Sequence, residues 1–297
     1  MCAMALLPMD VDILPAYDDR VFKKIMLGKE AAPARVSIVS AVIGRRVTDV
    51  IVRNSELPAD DTEEKAQRFD LNCVIDDGSQ LNIEMQSSRI AEKPGGGHLN
   101  LIGKSVYYLC DLHSSQSSKG KSYDELAKTY QVTFCGYTVF PNRANFINGI
   151  SLRHDDDNEL LCDIIRVVFV ELSKLHEILK KPISEMTGLE KWSIFLRYAE
   201  SLDYRNIVND VIKSEEALNV ASELLMSISQ DERERAIFMS RRKFQSDQES
   251  NLIKSRRTGR QEAQFEIARN LLQKDMPSAE IADVTGLTRE EVEGLRN

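Results

Sequence analysis

The stretch RFDLNCVIDDGSQLNIEMQ, residues 68–86, carries two acids, Asp70 and Glu84, at a spacing that can bring them together for metal-assisted phosphoryl chemistry. It reads as two strands around an Asp-Asp-Gly turn. Side chains alternate faces along a strand, so Asp70, Asn72 and Val74 share one face, and Asn82, Glu84 and Gln86 form a similar row on the next strand. A three-residue loop at Asp76, Asp77 and Gly78 pairs Ile75 with Ser79 and sets Asp70 opposite Glu84, whereas a two-residue turn puts the carboxylates on opposite faces. Leu71, Cys73, Ile75, Leu81, Ile83 and Met85 fill the apolar side. Opposed carboxylates repel, which calls for a positive charge between them. A hard divalent cation with oxygen ligands, Mg²⁺ or Mn²⁺, meets that need and can activate water for attack on a phosphoryl group. The alternative is a polar, solvated face of a half-exposed sheet.

Elements on either side must position this hairpin. DDRVFKKIM begins with an acidic cap and sets Phe22, Ile25 and Met26 on one helical face, a second apolar helix covers about 34–43 and ends at Gly44, and RVTDVIVRNSEL has strand alternation. Beyond a triple-glycine loop, HLNLIGKSVYYLCDLH reads as a helix, with TYQVTFCGYTVF and IIRVVFVELSKL as further strands. This order predicts an α/β domain with a mixed sheet flanked by helices over residues 1–180. Residues 181–297 read as helical throughout, ending in PSAEIADVTGLTREEVEGL, which has a helix-turn-helix-like form with an acidic second helix better suited to packing or dimerisation than to phosphate. Phe22, Tyr107, Tyr108 and Trp192 are read as core.

The formal net charge is −8, which argues weakly against a nucleic-acid partner. The run from Arg241 to Arg260 reverses it locally, with seven Lys or Arg against two acids, and reads first as a solvated helix and second as a phosphate-contacting patch. No apolar stretch is long enough to span a bilayer and the N-terminal stretch lacks a basic region, so the expectation is a cytoplasmic protein with no membrane partner. Five scattered cysteines form no metal-binding or disulfide pattern and are read as reduced core residues. The four histidines stand singly, and PGGGHLN lacks the Gly-Lys-Ser/Thr of a phosphate loop.

The ordered set DRVFKKIM (19–26), RFD (68–70), EMQ (84–86), KSVYYL (104–109) and GKSYDELAKTYQVTFCGYTVF (120–140) resembles the PD-(D/E)XK nuclease superfamily, over roughly residues 12–175. Within it the chain is similar to the transposase-associated branch, the recombination-promoting nuclease (Rpn) or PD-(D/E)XK nuclease family transposase proteins. The resemblance implies a restriction-endonuclease-like core and a metal-dependent DNA endonuclease, with Asp70 and Glu84 holding Mg²⁺ or Mn²⁺ and Asp19 matching an accessory acid. Gln86 occupies the position of the superfamily's lysine: an amide can hydrogen-bond the attacking water but brings no charge to a developing phosphorane. Phe69 replaces the motif's proline. Lys104 or Arg89 could restore the missing charge, and Arg241, Arg242, Lys243, Arg256 and Arg257 are candidate DNA contacts. The helical region is expected to support homo-oligomerisation or DNA engagement. The competing reading is a DNA-binding or assembly protein on the same fold with decayed activity, and a further one gives the basic tail a protein partner.

Overall fold

The computed structural model describes residues 6–53, 71–87, 99–117 and 122–296. Its chain divides into two compact units, Met1–Glu232 and Arg233–Asn297.

The first unit opens with helix α1 (Asp19–Leu27), whose cap is Asp18, its side chain accepting from the amides of Arg20 and Val21. Helix α2 (Ala32–Ile43) begins beside Pro33 and stops at Gly44, where φ of 75° suits a residue without Cβ. Strands β1 (Val50–Val52), β2 (Leu71–Ile75) and β3 (Gln80–Gln86) follow, then helix α3 (Leu99–Ser114) and strands β4 (Thr129–Cys135), β5 (Ile147–Arg153) and β6 (Leu160–Glu171). They form one mixed sheet in the order β1-β2-β3-β4-β6-β5. The β3–β4 and β4–β6 pairs are parallel and the others antiparallel. This is the expected mixed sheet flanked by helices.

The two sheet faces receive different layers. On one, Leu81, Ile83, Met85, Val132 and Phe134 are buried, and Phe22 of α1 meets Phe134 with ring centroids 6.3 Å apart. Helix α3 covers the other face, where Leu101 and Leu109 pack with Cys135, Val139, Val167 and Phe169. Tyr107, read from sequence as core, is exposed, because α3 buries the face carrying Leu101, Ser105, Leu109 and Leu112 and turns Tyr107 away from it.

Helices α4 (Gly188–Tyr198), α5 (Arg205–Ser214) and α6 (Glu216–Gln230) pack around α1 and α2, so the boundary expected near residue 180 falls inside the first unit. Trp192 and Phe195 sit in this core with edge-to-face geometry. Arg205 is fully buried and donates to the carbonyls of Pro8, Val11 and Glu200, tying the N-terminal segment to α5.

The second unit is dominated by one helix, α7 (Glu232–Leu272). Gly259 alone costs about 1 kcal/mol of helix propensity, and no proline adds to it. A small core of Ala268, Ile281, Leu287 and Val292 joins α7 to α8 (Ser278–Thr285) and α9 (Arg289–Gly294). Between them lies the Thr-Gly-Leu turn, with Gly286 at φ 71° and Thr288 closing a capping box with Glu291. Among the described residues no helix is long and apolar enough to cross a membrane.

Candidate active site

The hairpin has the three-residue loop. Val74 pairs with Gln80, Cys73 with Leu81, Asn72 with Asn82 and Leu71 with Ile83, and the Ile75 amide donates to the Ser79 carbonyl at 3.0 Å. Gly78 takes φ of 83°, the left-handed geometry that a three-residue loop requires at its last position. The turn acids serve structure. Asp76 accepts from the amide and hydroxyl of Thr48, and Arg45 contacts Asp76 and Asp77 at 3.0 and 2.5 Å.

The β3–β4 register sets Asn82 beside Gln131 and Glu84 beside Thr133, all on the face that α3 covers. These groups are buried, so the solvated-face alternative does not hold: Asn82, Gln131 and Thr133 have no exposure and Glu84 has 6 %. Buried polar groups are costly unless bonded, and this layer is bonded across three elements. Asn82 Nδ2 donates to Gln131 Oε1 at 2.8 Å, Gln131 Nε2 lies 3.5 Å from Thr133 Oγ1, and Ser105 Oγ of α3 lies 3.3 Å from Thr133 Oγ1. Beside Ser105, Lys104 Nζ donates to Glu84 Oε2 at 2.8 Å and sits 5.1 Å from the Tyr108 ring centre. At the start of β4 the layer continues through His113 Nδ1 and Gln116 Nε2, each 2.9 Å from Thr129 Oγ1.

Gln86 ends β3, half-buried. Its carbonyl accepts from the Gly136 amide at 2.9 Å, and a Cβ on Gly136 would stand 2.6 Å from the Ser87 carbonyl oxygen. Only glycine lets the two strand ends approach this closely beside the site.

Of the expected site residues, the fold brings Glu84 and Lys104 into contact and places Gln86 two residues further along the same strand. Asp70 and Arg89 lie outside the described residues. Asp19 is the first residue of α1, the helix that packs on the opposite face of the sheet from Glu84. Arg241, Arg242, Lys243, Arg256 and Arg257 lie on α7, in the second unit. The Asn82, Gln131, Thr133 and Ser105 layer was not anticipated as a unit. Its signal is a polar residue at every second place in β3 and β4 strands that are otherwise apolar.

Another buried acid is structural. Glu171, fully buried at the end of β6, accepts from the amides of Val139 and Phe140, from Asn148 Nδ2 and from Lys174 Nζ. Burial pushes the Cys73 thiol up to about 12 and raises Cys135 as well, so both stay protonated core groups. Cys110, also expected in the core, is exposed, and Cys162 is only half-buried.

Whether these residues suit a divalent cation turns on their donors. Glu84 offers a carboxylate, and the buried Asn82 Oδ1, on the same face two residues earlier, has no hydrogen-bond partner among the described residues. Both are hard oxygen donors of the kind Mg²⁺ selects, and Mg²⁺ needs only one or two protein carboxylates. Among the described residues no group of three or more His, Cys, Asp or Glu gathers at one point, and Asp70, the second expected acid, is not among them.

A mixed sheet with an acidic central hairpin, closed by a parallel strand and a covering helix, defines an α/β fold of the restriction-endonuclease-like class. The family model described as PD-(D/E)XK nuclease family transposase matches residues 16–255, and the chain belongs to that family. No curated protein and no solved structure matches it.

Proposed function

We propose that the protein is a metal-dependent DNA endonuclease of the recombination-promoting kind, acting at the β2–β3 hairpin beneath α3. The observation that carries this reading is the ion pair of the buried Glu84 with the half-buried Lys104, which keeps a carboxylate and a cation together on the face of a central strand. The hairpin register runs in step from Val74–Gln80 to Leu71–Ile83, the register of the three-residue loop for which the sequence reading expects Asp70 opposite Glu84. In this account Asp70 and Glu84 hold Mg²⁺ or Mn²⁺, and Asp19, on the helix against the other face of the sheet, stays a first-turn acid of α1. Bound there, the ion would lower the pKa of its water and offset charge on the scissile phosphate. Gln86, at the end of β3, orients the attacking water through its amide. Lys104 supplies the positive charge that Gln86 lacks: its ammonium holds Glu84 in place and offsets charge on the phosphate. Arg89, which follows β3 in sequence, and Arg241, Arg242, Lys243, Arg256 and Arg257 contact the DNA backbone.

The test is nicking of supercoiled plasmid by purified protein with Mg²⁺ or Mn²⁺, beside Asp70→Ala and an EDTA control. Cleavage that requires metal and disappears in the variant is the expected result. Equal cleavage by Asp70→Ala would remove the hairpin from the chemistry.

A second reading, a decayed nuclease that still binds DNA, draws on one observation. Lys104 already balances the charge of Glu84, which weakens the pull of that carboxylate on a cation. Metal titration separates the two: the enzyme reading expects a Mg²⁺ site lost in Glu84→Gln, and the decayed reading expects DNA binding indifferent to Mg²⁺.

A further inference from the structure

Residues 151–153 of β5 and 160–164 of β6 leave the sheet as a two-stranded arm, while residues 147–150 of β5 pair with 167–170 of β6 inside it. Strand β4 pairs with β6 only from Ile165 onward, so Leu152–Cys162 and Arg153–Leu160 pair beyond its reach. The base of the arm is fixed by Asn148 on Glu171 and by an ion pair between Lys128 and Asp163. Isolated two-stranded ribbons are marginal in water. Yet β5 and this arm together hold six large apolar side chains at 38–58 % exposure, Ile147 and Ile150 within the sheet and Leu152, Leu160, Leu161 and Ile164 on the arm. Exposed apolar surface on this scale marks an interaction site in most soluble proteins.

The edge is guarded only by the register shifts against β6 past Ile150. Among the described residues strand β5 has a hydrogen-bonding neighbour on one side only, and Ile147–Arg153 carries no proline, no acid and no lysine, with Arg153 as its single charge. Sheet edges that must stay unpaired usually carry such blocks. The charge of the arm also narrows the partner. Its tip holds Asp155, Asp156, Asp157 and Glu159, which repel nucleic acid and anionic membrane alike and leave a protein strand as the fitting occupant.

We propose that β5 is the pairing edge of a homodimer, in which two copies of this chain align their β5 strands antiparallel about a two-fold axis at Ile150. Strand β5 complements itself in this register. Arg153 falls opposite Ile147, Leu152 opposite Asn148 and Ser151 opposite Gly149, so no like charges meet. Beyond the strand, the acidic tip of each copy runs toward the segment that leads into the other copy's β5, where the exposed Arg143 offers a counter-charge. The opposite sheet edge, β1, spans only Val50–Val52 and offers a shorter ladder. This places self-association on the arm of the first unit, whereas the sequence reading assigned it to the C-terminal helices.

Sedimentation velocity on the full-length protein over a concentration series tests the proposal, together with three variants at exposed positions. Wild type is expected to sediment as a dimer. Ile150→Lys sets two ammonium groups against each other on the axis and should weaken association at least tenfold, with unchanged circular dichroism. Ile150→Cys should form a disulfide-linked dimer on mild oxidation, because the residue faces its own copy. In Ile147→Cys the two thiols stand roughly 20 Å apart in this register and should not join. Oxidised wild type measures the background from Cys110. A monomeric wild type would overturn the proposal, as would a dimer that survives Ile150→Lys and yields no cross-link through Ile150→Cys. Because the readout is association, a failure of the nuclease reading leaves it untouched.

Discussion

A carboxylate with 8 % of its side chain exposed has lost most of its hydration, and Lys104, one-third exposed, replaces part of it with a single charged hydrogen bond. The two residues therefore respond differently to substitution. Glu84→Gln keeps the shape and removes the charge that costs most to bury, while Lys104 retains access to water. Its stability should change by less than about 1 kcal/mol, although metal-dependent cleavage should fall by roughly 100-fold or more. Lys104→Ala leaves Glu84 buried and unneutralised, so stability should drop by about 1–3 kcal/mol along with activity. Thermal denaturation beside the plasmid assay checks both. The same experiment with Mg²⁺ reads binding directly: an ion at 100 times its Kd raises wild-type stability by about 2.7 kcal/mol and leaves Glu84→Gln unmoved. Parallel losses of stability in the two variants would make the pair a packing feature.

At the scale of elements, the hairpin is anchored through its turn. The Asp76 carboxyl is held below the usual carboxylate range by the Thr48 amide first, then by Arg45 and the Thr48 hydroxyl. Its folded pKa is depressed, so its contribution is complete above the unfolded value of about 4 and is lost as pH falls through the folded value. Denaturant titrations across the acid range should show wild-type stability declining there, and Asp76→Asn should be less stable at neutral pH with a shallower acid limb. An unchanged acid limb would remove Asp76 from the linkage. The place of this turn was legible in the sequence because Asp-Asp-Gly is a local signal, but the sequence left two- and three-residue loops open; the three-residue loop sets the register from Val74 to Leu71. The apolar second helix ending at Gly44 was legible for the same reason. Strand β5 was not, since Asn148-Gly149 interrupts its alternation and its pairing partner β6 supplies the order. The polar layer was hidden likewise, because Asn82 and Gln131 meet only through a parallel crossover spanning 49 residues. Glu84 and Gln86 could be named from spacing and resemblance, but the contact with Lys104 depends on where α3 lands on the sheet.

On the scale of the whole molecule, a net charge of −8 coexists with a helix that presents seven bases against two acids between Arg241 and Arg260. Of the five proposed contacts on it, Arg242, Lys243, Arg256 and Arg257 are exposed and Arg241 is half-exposed, on a segment that is polar around nearly its whole circumference. A long helix with so little apolar surface is held by its own ladder and by its ends, with the small core around Ala268 and Ile281 at one of them. If this segment follows the DNA backbone, its contribution is counterion release, which salt measures without reference to sequence. Each phosphate contact adds about 0.9 to the slope of log K against log salt for duplex DNA. Replacing Arg241, Arg242, Lys243, Arg256 and Arg257 together by Gln should flatten that slope by about 4 to 5, weakening binding evenly across unrelated duplexes in fluorescence anisotropy. Glu84→Gln should leave the slope within about 1 of wild type, since it removes a negative charge at one point and no phosphate contact. A slope unchanged by the fivefold variant would assign the basic helix to a protein partner and return DNA engagement to the first unit.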